Sequence, residues 1–220
     1  MERRTIQIGS YNTAATGDWT LAEWELSAAP QQTNYVKVPG RNGPLDFSTV
    51  LTDGEPTYDS RTLTATLDRS SGSRLEREAA ISTMVNWLDG WVAEITLPDD
   101  PGRYIKGRVS VAKVYNDMAH ARVKVQAVCD PWKYNKEETV ATYTATAAEQ
   151  TAELLNQGRR TVVPLLTITG GTVSLVFGSA SWALGPGTYQ LPDLVLPQGA
   201  HSIRYSGTGV LTLSYREAVL

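Results

Sequence analysis

Ala121-Arg122-Val123-Lys124-Val125-Gln126-Ala127-Val128 alternates apolar and polar side chains almost one for one. A period of two is the spacing of a pleated strand, which sends successive side chains to opposite faces. The stretch therefore reads as a strand with one buried and one wetter face. The same alternation recurs at residues 5–8, 24–26, 35–38 and 62–67, cut by Gly, Pro, Asn and Asp. Most of the chain is β-sheet by this reading.

One segment has a different period. Between residues 73 and 90, Ile81, Met84, Val85 and Leu88 fall at i, i+3, i+4 and i+7, the stripe of an amphipathic helix. Ser73 with Glu76 three residues on forms a capping box, and Gly90 suits the position just past a helix end. The stripe is expected to cover a sheet.

Composition changes after Trp132. The segment 133–138 is polar and charged, and beyond it charges thin out while turn signals come at short intervals: Gly170-Gly171, Gly185-Pro186-Gly187, Pro197-Gln198-Gly199 and Gly207-Thr208-Gly209. That punctuation marks a small antiparallel sandwich. The expected organisation is an N-terminal β domain with one helix over 1–135 and an all-β domain over 136–220. Within the Ala/Thr-rich stretch 139–152, the first half reads as a strand entering the second domain.

The chain has 220 residues, 41% hydrophobic and 20% charged, with a formal charge of −3. Such a balance does not suggest a nucleic-acid surface, which needs clustered Lys and Arg. Arg3-Arg4 is too short a block to count as one and reads as a solvated terminus. The start, MERRTIQIGSYNT, has no apolar segment of a signal peptide, and no stretch approaches the roughly 18 apolar residues of a membrane helix. A single cysteine, Cys129, excludes an internal disulfide.

Catalytic chemistry finds little footing. The two histidines, His120 and His201, fall in different domains beside turn signals, and no nucleophile elbow, phosphate loop, zinc motif or C-x-x-C pair is present. Asp99-Asp100 precedes Pro101-Gly102 and reads as a turn rather than a cation site. Cys129 reads as a small buried hydrophobe. Six Trp and ten Tyr against two Phe are biased towards side chains with a polar edge, suited to protein interfaces and sugar platforms alike.

An ordered set of short motifs carries more information. Val38-Pro39-Gly40-Arg41-Asn42-Gly43-Pro44-Leu45-Asp46 is followed by Tyr58-Asp59-Ser60-Arg61, then Trp87-Leu88-Asp89-Gly90. Next come Tyr104-Ile105-Lys106-Gly107-Arg108 and Cys129-Asp130-Pro131-Trp132-Lys133; Asn156-Gln157-Gly158, Pro164 and a closing run over 207–216 complete the set. In order and spacing it resembles the distal tail proteins of phages with long non-contractile tails, and related prophage components. The resemblance implies an N-terminal β-sandwich with a flanking helix, six copies of which ring the tail lumen, and a C-terminal galectin-like β-sandwich outside the ring. It further implies a virion protein assembled in the bacterial host cytoplasm, with itself, the tail tube protein and the tail-tip hub as partners. No catalysis, cofactor, metal, nucleic-acid or membrane binding is implied.

The motif residues singled out are Pro39, Arg41, Gly43, Asp46, Tyr58, Arg61, Gly90, Gly107, Arg108, Asp130, Pro131 and Trp132. Arg suits bidentate pairing with carboxylates, so Arg41 and Asp46 form either a clamp within their loop or a bridge across a subunit boundary. Two other functions compete. One is a carbohydrate-binding module with Trp182, Tyr189 or Tyr205 as stacking platform; the other is a hydrolase whose paired carboxylates come from distant strands.

Overall fold

A computed structural model describes residues 4–52 and 54–220. Arg3 lies outside them. The chain divides into two compact units, Met1–Lys133 and Tyr134–Leu220.

The first unit contains β1 (Gln7–Ile8), β2 (Tyr11–Asn12), α1 (Thr13–Gly17), β3 (Thr20–Leu26), β4 (Tyr35–Val36), β5 (Leu45–Asp46), β6 (Arg61–Arg69), α2 (Arg74–Leu88), β7 (Val92–Thr96), β8 (Arg103–Asn116) and β9 (Ala121–Asn135), which runs on past the boundary. Its main sheet follows the order β2-β1-β7-β8-β9-β6-β3. The Leu21 amide of β3 donates to the Arg4 carbonyl just ahead of β1 at 3.0 Å, so the sheet curls round until its ends meet. In β9 the buried side chains are Ala121, Val123, Val125, Ala127 and Cys129, the alternate set. They join Ile6, Ile8, Leu63, Leu67, Ile95 and Ile105 in one core.

α2 lies on this core through Ile81, Met84 and Leu88, with Val85 partly buried beside them. Ser73 accepts from the Glu76 amide and the Glu76 carboxylate accepts from the Ser73 amide, which completes the capping box. Asp89 caps the other end, and Gly90 follows with φ +81°. Between the apolar contacts sits Arg77, 2% exposed, which donates to the carbonyls of Gly72, Asp117 and Met118 and to Asn116 Oδ1. α1 has no apolar periodicity and is not anticipated by it. The Asn12 side chain starts it by accepting from the amides of Ala14 and Ala15.

The second unit contains β10 (Thr139–Thr144), β11 (Gln150–Asn156), β12 (Leu165–Thr169), β13 (Val173–Phe177), β14 (Ala180–Leu184), β15 (Gly187–Gln190), β16 (Gly199–Gly207), β17 (Val210–Tyr215) and β18 (Ala218–Val219). Two four-stranded antiparallel sheets, β10-β17-β12-β15 and β11-β16-β13-β14, enclose a separate core that includes Leu154, Leu166, Leu175, Ile203, Leu211 and Leu213. This is a β-sandwich. Asn156 is fully buried, and its amide is used up by the carbonyls of Arg160 and Leu196 and the Gly158 amide. The Asn156-Gln157-Gly158 motif is thus a folded knot in the core.

Candidate interaction surface

Residues 31–58 leave the sheet as an arm. Its neck is stitched by the Gln31–Tyr58 bridge, the Gln32 amide on the Thr57 carbonyl at 2.9 Å and the Gln32 side chain on Asp59 at 2.6 Å. Within it, β4 and β5 pair through Tyr35–Asp46 and Val36–Leu45. The alternation at 35–38 suggested a longer strand, but pairing stops at Val36. From there Val38-Pro39-Gly40-Arg41 turns, with the Arg41 amide on the Val38 carbonyl at 3.3 Å and Gly40 at φ +79°. Pro before Gly in that geometry is a type II turn. Gly43 also has positive φ.

Among the described residues no side chain of the arm belongs to either core, and Tyr35, Val36, Val38, Phe47, Val50 and Leu51 are exposed, Leu51 to 97%. Exposed apolar groups gathered on one element mark an interaction site. The clamp reading of Arg41 and Asp46 does not hold within the chain. Among the described residues their side chains form no ion pair; Asp46 accepts from the Ser48 hydroxyl and amide instead, which hold its carboxyl below the usual range.

A second surface lies on the outward face of the sheet. Val92 is in register with Arg108, and Val128 with Thr62, so a row crosses β7, β8, β9 and β6. The turn after α2 overhangs this row. Gly90 donates to the Val109 carbonyl at 2.8 Å, Asp89 accepts from the Val111 amide at 2.9 Å, and Arg108 Nη1 donates to the Gly90 carbonyl at 2.6 Å. Between turn and sheet runs a groove of about 380 Å³ whose lining includes Thr62, Asp89, Gly90, Arg108, Ser110 and Val128. Trp91 (67% exposed), Val92 and Val128 (60%) add apolar surface on this unit.

The remaining motif residues lie in or beside the strands of the first unit. Tyr58 meets Trp132 edge to face at 5.6 Å. Gly107 lies against β9, where Asp130 and Pro131 are half-buried. Arg61 is buried, 5% exposed, beside Cys129 in the β6–β9 register, and its Nε and Nη2 have no hydrogen-bond partner. Burial lowers the Arg61 pKa, and burial pushes the Cys129 thiol up to about 11.

Of the three aromatic residues considered as a sugar platform, Trp182 and Tyr205 stand in one row of a single sheet, each in register with Leu175, and Tyr189 belongs to the other sheet. Tyr205 is 7% exposed and packs on Tyr143 at 5.4 Å, inside the sandwich. Trp182 and Tyr189 are partly buried against the same core from different sheets, with the Tyr189 hydroxyl on the Gly185 carbonyl. Alternation puts Trp182 in phase with buried Leu184, and Tyr205 in phase with buried Ile203, which turns both inward.

His120 sits in a turn made by Asp117, and His201 holds the Pro197 carbonyl at 2.8 Å. Asp100 ends a turn and pairs with Arg103 at 3.4 Å. Among the described residues no group of three His, Cys, Asp or Glu side chains is placed to hold a metal ion, and no helix is long and apolar enough to cross a membrane.

A curled sheet with a packed helix, followed by a β-sandwich, is also the fold of a solved phage protein. Among the solved structures the chain matches is that of SPP1 Dit (gp 19.1), described as a paradigm of the hub adsorption apparatus in phages infecting Gram-positive bacteria, with a TM-score of 0.69 over 98% of this chain and 99% of that one. Identity is 15%, so the likeness is one of fold. No family model matches the chain, and no curated protein matches it in sequence.

Proposed function

We propose that the chain is a structural protein of a phage tail tip, a ring of six copies that joins the tail tube to the tail-tip hub. The carrying observation is that the likeness to SPP1 Dit runs through both units, end to end. The ring belongs to the first unit and the outer, galectin-like position to the second. Partners are further copies of itself, the tube protein and the hub protein; the place of action is the virion, after assembly in the host cytoplasm. The exposed arm and the groove supply the two unlike surfaces that a closed ring of identical subunits requires.

Light scattering behind size-exclusion chromatography tests the reading. Six chains of 24.0 kDa give a particle of roughly 144 kDa. A mass of one chain at every concentration, with and without hub protein, contradicts it.

A further inference from the structure

We propose that the 46–55 loop of one copy docks on the β8–β9 face of the next, with Leu51 seated in the groove beside Arg108. The inference rests on the ring reading and names its contact. Leu51 stands at the apex of a tied loop: Thr52 donates to the Thr49 carbonyl at 3.2 Å, Gly54 to the same carbonyl at 3.1 Å, and Glu55 to the Thr52 carbonyl at 2.9 Å. A leucine presented almost fully to water on a preorganised loop is shaped for insertion, because the ordering cost of binding is already met. Within its own chain it is seated nowhere, being 97% exposed.

The groove is the apolar counterpart, and the charges agree. Residues 46–55 contain Asp46, Asp53 and Glu55 and no Lys or Arg. The receiving face exposes Lys106, Arg108 and Lys124, none of which forms an ion pair among the described residues. Glu94 stands opposite Lys106 in register, yet the two do not pair. An acidic loop with an apolar apex thus meets a groove flanked by Lys106, Arg108 and Lys124, with the Asp89 carboxylate also in its lining. Opposite charges around an apolar contact fix its register and exclude the reversed arrangement. Loop and groove are different patches of one chain, so the contact is head to tail, the kind that closes a ring.

The test is a cysteine pair, Leu51→Cys with Ser110→Cys, oxidised with copper phenanthroline and run on a non-reducing denaturing gel. The expected result is a ladder of linked chains reaching the hexamer, absent from either single variant because native Cys129 is buried. In parallel, Leu51→Asp should raise the concentration for half-assembly at least tenfold while leaving the melting temperature of the monomer unchanged. Rings that form without cross-linking and tolerate Leu51→Asp overturn the docking and leave the ring intact. A wild-type chain that never associates overturns both.

Discussion

Gly107 of β8 packs tightly on Cys129 of β9: a Cβ at position 107 would stand 2.6 Å from the Cys129 sulfur and 2.9 Å from the Val128 carbonyl oxygen. Glycine at this motif position keeps the two strands at pairing distance while the thiol fills the core beneath. Gly107→Ala should therefore cost about 1–3 kcal/mol, the range for overpacking a tight site. Denaturant unfolding measures it. Adding Cys129→Ala should recover part of the loss, since the two side chains share the space; strictly additive losses would show that the crowding lies elsewhere.

The Cys129 thiol gives a pH signature. Burial raises its pKa from the ordinary value of about 9 to about 11, with the Arg61 charge opposing the rise. A neutral thiol favoured by folding contributes stability that is complete below pH 9 and lost as pH climbs towards 11, because the unfolded chain ionises first. Wild type should lose stability relative to Cys129→Ala across that window. A constant difference between pH 8 and pH 11 would refute the assignment.

Two buried arginines should respond with opposite sign. Arg77 ties the start of α2 to the 117–118 turn through its carbonyl partners, so Arg77→Met leaves those acceptors unpaired and should cost about 2–4 kcal/mol. Arg61 keeps buried donors that bond to nothing, so Arg61→Met should stabilise the isolated chain by about 1–3 kcal/mol. Melting curves of the two variants, run side by side, decide the matter. A loss on Arg61→Met comparable to that on Arg77→Met would disprove the contrast.

Each unit has its own core, and the proposed ring closure involves the first alone. A chain ending at residue 135 should fold and still assemble. Loss of the oligomer in that truncation, with the fold retained, would make the second unit part of the closure.

How far the sequence could be read depended on the range of each signal. The α2 capping box and stripe are local, each built from neighbours no more than four residues apart, and both are present in the structure. The β9 alternation told inside from outside, and it also held a clue that passes easily unnoticed. Val128 is in phase with Arg122, Lys124 and Gln126 rather than with the core set, so its exposure was visible as an apolar residue on the polar face. Other features depend on distant partners. Arg61 is buried because β9 lies beside it, and the β4–β5 pairing closes over a gap that no periodicity describes. Leu51 carried no signal beyond being a leucine in a polar loop, and its exposure follows from where the arm leaves the sheet.

Single-particle electron microscopy of the purified full-length protein tests the central claim most directly. Closed rings with six-fold symmetry around an open channel are the expected result. Fields of solitary particles at high concentration, or an open chain of copies that never closes, would contradict it.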